Sequence, residues 1–230
     1  MTGRNKNMSL QKNKEILLIF VRAPERGRVK TRLAKAVGDE KALALYKQFS
    51  KASLDAAHAW AEQGSTASGQ ALRQVWICFY PQEKLDLVTE WLGRDHIFWA
   101  QSGAGLGERM AGAMAAAFDQ NAVRVALLGT DIPQIRQAHL GRAFECLGSK
   151  DVVLGPSLDG GYWLIGARWD RFSPRLFEDI EWGGDSVFSA TIDRCRENHL
   201  TCARLDLLRD VDTLADLEAI ENKKTGKARI

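Results

Sequence analysis

The 230-residue sequence predicts an α/β fold, in which a Rossmann-like, mostly parallel mixed sheet carries helices on both faces. Three observations favour this class. Short apolar runs recur along the chain, segments with helical periodicity separate them, and glycine-rich or charged loops follow the runs directly. Strand and helix in alternation indicate βαβ units, because parallel neighbours need a crossover connection.

Five apolar runs are predicted to be buried strands. They are EILLIFV (15–21), QVWICFY (74–80), HIFWA (96–100), VRVALLG (123–129) and DVVLG (151–155), and another strand-like run follows residue 161. Each run is short and apolar at successive positions, which is typical of a strand that is covered on both faces.

Helices are predicted between the strands. The first long one carries an apolar stripe at spacings of three and four residues and ends near Gly64; its members are Ala42, Leu45, Tyr46, Phe49, Ser53, Ala56 and Trp60. A second runs from about Leu106 to Phe118, where Met110 and Met114 keep the same spacing and are predicted to be core residues. Further helical stretches cover about 136–147, 184–198 and 213–222.

Charge placement limits the classes of function. The tails 1–14 and 223–230 are basic and predicted to be disordered, and residues 15–222 are predicted to form a single domain. Without the charges before residue 15 and after residue 220, the body carries −4, which argues against a nucleic-acid binder. No signal peptide and no apolar run of membrane-spanning length is present, so the chain is predicted to be cytoplasmic.

The four cysteines and four histidines do not indicate a metal site. No C-x-x-C pair occurs, and the cysteines are scattered along the chain. The cysteines are therefore predicted to be structural thiols.

The loop after the first strand, VRAPERGRVKTRL, concentrates positive charge. Arg22, Arg28, Lys30 and Arg32 surround Gly27, which permits a tight turn that brings cations and backbone N–H groups onto one anion. Phosphate is the natural target, and a solvated loop is the alternative. A Walker A loop is excluded because G-x-x-x-x-G-K-[ST] is absent.

The loop after the third strand, QSGAGLGERM, carries Gly103, Gly105 and Gly107. Its G-x-G-x-G spacing and its position after the third strand argue against a dinucleotide fingerprint. Small residues allow the backbone to approach a flat purine or a sugar closely, so these glycines are predicted to contact nucleotide.

Two aspartates follow the fourth and fifth strands. Asp131, in LLGTDIP, either caps the next turn or, opposite a cationic phosphate loop, holds a divalent ion. Asp159 precedes Gly160 and Gly161 in GPSLDGGYWLIG, where it supplies a second metal ligand, grips an acceptor or simply builds a turn.

Five motifs in order, VRAPERGRVKTRL, GLGERM, LLGTDIP, GPSLDGGYWLIG and LRDVDTLADL, resemble an incompletely characterised transferase family of the nucleotide-diphospho-sugar transferase superfamily. Relatives of that family include 2-phospho-lactate guanylyltransferase, and some members are named as glycosyltransferases of arsenosugar biosynthesis. The resemblance spans roughly residues 15–220. It implies the GT-A fold and a nucleotide bound through a divalent ion, Mg²⁺ or Mn²⁺.

Residue by residue, the resemblance implies that Lys30 and Arg32, helped by Arg22 and Arg28, hold the nucleotide phosphates, and that Asp131 is the metal ligand. Pro133 stands where many GT-A enzymes have a second carboxylate, and Asp159 is a candidate substitute for it.

Two further segments carry aspartates beside predicted helix starts. Arg209-Asp210-Val211-Asp212 contains a literal Asp-x-Asp, but Thr213 and Asp216 resemble a capping box, so a capping role is predicted for this segment. In residues 179–188, Trp182 with the following Gly183-Gly184 pair indicates a bent loop near an acceptor, and Asp185 is a candidate cap for the next helix.

The leading hypothesis is a metal-dependent transferase that uses a nucleotide or nucleotide-sugar donor and a small-molecule acceptor, with glycosyl transfer as the reaction. Nucleotidylyl transfer of the guanylyltransferase type, onto a small phosphorylated acceptor, is the alternative. A non-catalytic nucleotide-binding protein is the hypothesis of another class.

Overall fold

The structure is a computed structural model that describes residues 14–64 and 72–225, with side chains described through residue 222. The strands are β1 (Lys14–Arg22), β2 (Arg73–Tyr80), β3 (Ile97–Ala100), β4 (Ala122–Gly129), β5 (Val152–Pro156), β6 (Tyr162–Arg168) and β7 (Cys202–Arg204). The α-helices are α1 (Thr31–Val37), α2 (Asp39–Gln63), α3 (Leu85–Leu92), α4 (Leu106–Asp119), α5 (Gln137–Cys146), α6 (Val187–Glu197) and α7 (Leu214–Thr225). Two 3-10 helices cover Gln82–Lys84 and Pro174–Phe177.

The seven strands form one mixed sheet in the order β3-β2-β1-β4-β6-β5-β7. β1, β2, β3 and β4 run parallel, β6 is antiparallel to β4 and to β5, and β5 is parallel to β7. The loops that follow β1, β3 and β4 therefore leave from the same edge of the sheet, where ligands collect in open α/β sheets.

The core lies on both faces of the sheet. Along β1, Leu17, Ile19 and Val21 pack into one buried cluster, whereas Ile16 and Leu18 pack into the other. Helices α2, α3 and α5 cover the first face, and α4 with α6 covers the second. Alternate side chains of a strand point to opposite faces, which explains why every position in this run is apolar.

The predicted fold class is confirmed, and every predicted strand and helix is present with boundaries within a few residues. Met110 and Met114 are buried core residues, as predicted. Five elements were not predicted: α1 and α3, which are short, β7, which has only three residues, and the two 3-10 helices. Residues 1–13 and 226–230 of the predicted tails lie outside the described residues, whereas Lys14 begins β1 and residues 223–225 end α7, so these four residues are not part of disordered tails. The single-domain assignment of residues 15–222 stays a prediction.

Candidate functional site

A cleft of about 510 Å³ opens along the edge of the sheet where β1 and β4 end. This volume is ordinary for a small-molecule site, for which about 300–1,000 Å³ is typical. Segments that are distant in sequence line it: the loop and helix start 28–32, the ends of β1 and β4, the β5–β6 hairpin, the loop 182–184, and Asp212.

A three-residue ionic cluster forms the centre of the cleft. The ammonium nitrogen of Lys30 lies 2.5 Å from Oδ1 of Asp131 and 2.9 Å from Oδ1 of Asp212. The Lys30 side chain is 3% exposed, whereas those of Asp131 and Asp212 are 49% and 36% exposed. A buried cation therefore lies in contact with two carboxylates that remain open to a ligand.

Local backbone conformation positions this cluster. Lys30 is the N-cap of α1 and adopts φ 48°, in the left-handed region that non-glycine residues seldom enter. The Val211 N–H donates to the Asp131 carbonyl over 3.0 Å, which holds the segment before α7 against the end of β4. Burial alone would lower the pKa of Lys30, but Asp131 and then Asp212 outweigh it and raise that pKa above its ordinary value, so Lys30 stays charged.

The arginines of the basic loop lie around the cleft. Arg22, Arg28 and Arg32 line it and are exposed. Arg32 reaches Asp212 at 3.8 Å, and no ion pair to a carboxylate is present for Arg22 or Arg28 among the described residues. The Arg22 guanidinium lies 5.8 Å from the centre of the Tyr80 ring. Positive charge at the rim is thus available to an anionic ligand.

Tyr46 fixes the start of the basic loop. Its hydroxyl donates to the Arg22 carbonyl and accepts from the Arg22 N–H, each over 2.8 Å. Burial raises the pKa of Tyr46 to about 12, although the bond to Arg22 opposes that shift. The hydroxyl therefore stays protonated in the physiological range. Tyr46, predicted only as a member of the apolar stripe on α2, also lines the cleft.

Asp159 stands on the far side of the cleft, in the β5–β6 hairpin. Its Oδ1 accepts from the Ser157 hydroxyl at 2.5 Å and from the Gly161 N–H at 2.9 Å. Gly160 has φ +88°, and a Cβ there would lie 2.0 Å from the Asp185 carbonyl oxygen. The hairpin therefore needs glycine at this point, because it packs directly on the segment that precedes α6.

The loop after β3 carries three glycines, which differ in conformation and surroundings. Gly103 has φ +136°, Gly105 is the N-cap of α4, and Gly107 is buried in the first turn. A Cβ on Gly107 would lie 2.7 Å from Nε1 of Trp182. Gly107 thus provides space for Trp182. The three glycines of this loop were predicted to contact the nucleotide, but none of them lines the cleft. The neighbouring Leu106 does line it.

Trp182 forms part of an aromatic and apolar wall. Its ring lies 6.4 Å from the Tyr162 ring, edge to face at 85°, and 6.4 Å from the Phe177 ring at 28°. Leu106, Met110 and Val187 continue this surface. The loop that was predicted near an acceptor does line the cleft through Trp182, Gly183 and Gly184.

Two predictions about capping are corrected. Thr213 and Asp216 do form the predicted box, since the Thr213 N–H donates to Asp216 Oδ2 over 3.0 Å and Asp216 N–H donates back to Thr213 Oγ1. Asp212, however, is not a cap, because its carboxylate contacts Lys30. Asp185 does not cap α6 either, since Ser186 is the N-cap and no side-chain capping hydrogen bond is present at this helix start.

Further charge lies beside Asp159. Burial raises the pKa of Asp210 to about 6, and the carboxylates of Asp159 and Asp212 add to the shift.

Across residues 14–64 and 72–225, no group of three or more His, Cys, Asp or Glu side chains is arranged to hold a metal ion. An ion bound at this site would therefore need ligands from a substrate or from water as well.

Within the described chain, no helix has both the length and the apolar character that crossing a membrane requires.

Comparisons with solved structures identify the fold. A structure from Desulfovibrio desulfuricans G20, provisionally described as a nucleotide-diphospho-sugar transferase, is 37% identical; it matches with a TM-score of 0.82 over 94% of this chain and 90% of that one. A nucleotidyl transferase from Methanothermobacter matches at 14% identity and a TM-score of 0.59, over 93% of this chain and 99% of its own. The inositol-1-phosphate CTP transferase of T. maritima matches at 14% identity and a TM-score of 0.53, over 95% of this chain and 99% of its own.

The chain thus has the fold of the nucleotide-diphospho-sugar transferases and nucleotidyltransferases. A family model described as "Uncharacterized protein conserved in bacteria (DUF2064)" matches residues 65–184. The chain belongs to the DUF2064 family, a poorly characterised family of that superfamily, as the resemblance of its motifs predicted. Among curated proteins, none matches the chain.

Proposed function

We propose that the protein is a metal-dependent transferase that moves a glycosyl group from a nucleotide-diphospho-sugar to a small-molecule acceptor. One observation carries the proposal: Lys30 lies between Asp131 and Asp212 at the centre of a cleft that Arg22, Arg28 and Arg32 surround. Cations at the rim suit a diphosphate, and exposed carboxylate oxygens at the centre suit a hard divalent cation.

The donor set at the centre fits Mg²⁺ or Mn²⁺. Asp131 and Asp212 offer carboxylate oxygens that already converge on one cation, the Lys30 ammonium. Mg²⁺ characteristically uses one or two carboxylates and takes its remaining ligands from substrate phosphates and water. When bound, the ion would neutralise negative charge that grows on the leaving diphosphate. Asp131 keeps its predicted role as metal ligand, and Asp212 replaces Asp159 as the second.

Lys30 and the arginines bind the donor in this scheme. Asp131 and Asp212 would hold a divalent ion, and the Lys30 ammonium, no longer needed to balance these two carboxylates, would pair with a donor phosphate. Arg22 and Arg28, which lack carboxylate partners among the described residues, bind further phosphate oxygens. Fixed cations aimed at a departing diphosphate lower the barrier most where water is excluded.

Nucleotidylyl transfer is the second candidate. Four basic residues in one loop provide enough charge for a triphosphate, and two of the similar structures are described as nucleotidyl or CTP transferases. In that reaction the same residues would bind a nucleoside triphosphate, the acceptor oxygen would attack the α-phosphorus, and pyrophosphate would leave.

Calorimetric titration tests the proposal and separates the candidates. Nucleoside diphosphates, triphosphates and nucleotide-sugars are titrated with Mg²⁺, with Mn²⁺ and with a chelator, and the products are then analysed. Release of nucleoside diphosphate from a nucleotide-sugar supports glycosyl transfer, and release of pyrophosphate supports the second candidate. Binding that ignores the chelator, with no turnover of any donor, would leave a non-catalytic nucleotide binder and refute the enzyme.

A further inference from the structure

The order of the loops along the sheet edge assigns one end of the cleft to the acceptor, if the proposed function holds. Across the sheet, β3, β2, β1, β4, β6 and β5 follow one another. The basic loop follows β1, Asp131 follows β4, and the β5–β6 hairpin lies beyond. A donor whose diphosphate contacts the basic loop and Asp131 places its transferred group towards the hairpin, so the acceptor enters from the hairpin side.

Charge is distributed unevenly between the two ends. Every basic side chain that lines the cleft in the described chain comes from residues 22–32. At the hairpin end, the charged lining residue is Asp159, and Asp210 lies close enough to interact with it. An anionic acceptor would meet repulsion at this end and no lining cation to offset it.

Asp159 is held ready to contact a hydroxyl group. Ser157 and Gly161 both donate to its Oδ1, and no described group donates to its Oδ2. Oδ2 of this exposed carboxylate is therefore the oxygen that a hydroxyl donor from outside can reach.

Trp182 lines the same cleft as Asp159 and belongs to an aromatic and apolar wall. The indole ring of Trp182 packs against the rings of Tyr162 and Phe177, and Gly107 lies close to its Nε1 atom. Because its neighbours restrain it, the ring can stack on a planar apolar face at little cost in side-chain entropy.

We propose that the acceptor is an uncharged, hydroxyl-bearing molecule with a flat apolar face, such as one face of a sugar ring or an arene, and that phosphorylated and carboxylated acceptors are rejected. The face stacks on Trp182, and the hydroxyl donates to Oδ2 of Asp159. As the new bond forms between the acceptor oxygen and the donor's anomeric carbon, Asp159 takes the proton. The bond from that carbon to the diphosphate oxygen breaks, and its electron pair leaves with the diphosphate.

Two probes and three variants test the proposal. Phenyl β-D-glucopyranoside and its 6-phosphate are compared by saturation-transfer NMR, with saturating inorganic pyrophosphate and Mg²⁺ to fill the basic loop. We expect the neutral glucoside to bind at least tenfold more tightly than the phosphate. Trp182→Ala should abolish glucoside binding, Trp182→Phe should retain part of it, and the isosteric Asp159→Asn should reduce the preference for the neutral probe.

Trp169→Ala is the matched control, because Trp169 is an exposed tryptophan whose backbone N–H donates to the Val123 carbonyl, at the opposite end of β4. It should bind both probes as the unmodified protein does. Equal or tighter binding of the phosphate, no glucoside binding, or glucoside binding that survives Trp182→Ala would each overturn the proposal. Loss of pyrophosphate binding in Trp182→Ala would do so too, because the wall would then belong to the donor. Failure of the proposed function has different signatures in the unmodified protein: pyrophosphate and nucleotides would not bind, or nucleotides would bind without turnover of any donor.

Discussion

The ammonium group of Lys30 donates to Asp212 over 2.9 Å, although 182 positions separate the two residues in the chain. Asp131 contacts the same ammonium, so three segments that follow different elements meet at one point. Two carboxylates this close repel each other unless a cation lies between them. Lys30 therefore acts as the internal counter-ion of the Asp131–Asp212 pair, in the position that a divalent ion would take.

Replacing Lys30 should affect metal and nucleotide binding in opposite directions. Lys30→Met removes the counter-ion with little change in volume, so Asp131 and Asp212 should bind Mn²⁺ at least tenfold more tightly in the absence of nucleotide. The same variant should bind triphosphates more weakly, because a phosphate ligand is lost. Titration with Mn²⁺ and then with nucleotide measures both effects, and Mn²⁺ should raise the Tm of the variant more than that of the unmodified protein.

Lys51→Met is the control for this experiment. Lys51 pairs with Asp55 at 2.8 Å within the exposed face of α2, and its loss should leave Mn²⁺ affinity unchanged. If Lys30→Met weakened Mn²⁺ binding, or left it as it was, Lys30 would not occupy the metal position.

Asp131 and Asp212 should be equally necessary for metal-dependent nucleotide binding. Either Asp131→Asn or Asp212→Asn removes one anionic ligand, and we expect at least a tenfold loss of affinity, about 1.4 kcal/mol, in the presence of Mg²⁺. The Tm should change by only a few degrees, since Lys30 keeps one carboxylate partner. Calorimetry with and without chelator measures the loss. Asp170→Asn is the control: Asp170 pairs with Arg168 on the surface, so this variant should bind nucleotide as the unmodified protein does. If Asp212→Asn kept full metal-dependent nucleotide binding, the role of Asp212 would be purely structural.

Arg28 should contribute binding energy in proportion to ligand charge. Arg28→Ala is expected to weaken triphosphates several-fold, diphosphates less and nucleosides not at all, and the difference should shrink at high salt because exposed charges are screened. Arg26→Ala is the neighbouring control, because Arg26 pairs with Glu40 at 3.0 Å and does not line the cleft. Equal losses for nucleosides and triphosphates would argue against a phosphate role for Arg28.

Sequence periodicity predicted most of the fold because the burial pattern is strong. In β1 the central side chains are buried on both faces, and in α2 the predicted stripe is buried at all positions except Leu45. The helix α1 was missed because seven residues are too few to show a periodic stripe, and Leu33 is its one buried residue. β7 was missed for a similar reason, since its three residues have no fully buried side chain.

The site was predicted in part. Rules about strand ends brought Lys30 and Asp131 together, because β1 and β4 are parallel neighbours. They missed Asp212, because it lies eight residues after β7 and not directly at a strand end: the chain after β7 runs beside the hairpin and reaches Asp131 through the Val211 N–H. The capping box of Thr213 and Asp216 is real, but it did not exclude a second role for the residue before it. The Asp-x-Asp pattern was the signal that could have identified Asp212.

Gly107 should be intolerant of a side chain. Gly107→Ala places a methyl group 2.7 Å from Trp182 and 2.8 Å from the Phe177 carbonyl, and overpacking of this kind costs about 1–3 kcal/mol. Because the strain falls on Trp182, binding of phenyl β-D-glucopyranoside should weaken as well. Gly141→Ala is the matched control within α5: nothing lies within 4 Å of the new Cβ, so the helix should gain about 0.5–1 kcal/mol. Urea denaturation measures the stability of both variants. An unchanged free energy of unfolding in Gly107→Ala would show that the wall around Trp182 can move.

Ionisation of Tyr46 should lower the free energy of unfolding at alkaline pH. Its pKa is raised from 10.0 to about 12 in the folded protein, so the folded state holds the phenolic proton more tightly than the unfolded chain does. The resulting stabilisation, about 2–3 kcal/mol, is fully present below pH 10 and is lost as pH rises towards 12. Tyr46→Phe should lower the free energy of unfolding by about 1–2 kcal/mol at neutral pH, because its bonds to Arg22 are missing. Between pH 10 and 12, the free energy of unfolding should then fall less in this variant than in the unmodified protein.

Burial also raises the pKa of Tyr162, so the Tyr46→Phe variant should keep part of the alkaline destabilisation. Urea denaturation at pH 8, 10 and 11 resolves the two contributions as a difference between the variant and the unmodified protein. Identical pH profiles would mean that the Tyr46 hydroxyl ionises as it does in the unfolded chain, which its burial and its bonds to Arg22 argue against. Because those bonds fix the residue at which the basic loop begins, the variant should also bind pyrophosphate more weakly at pH 8, where its ionisation plays no part.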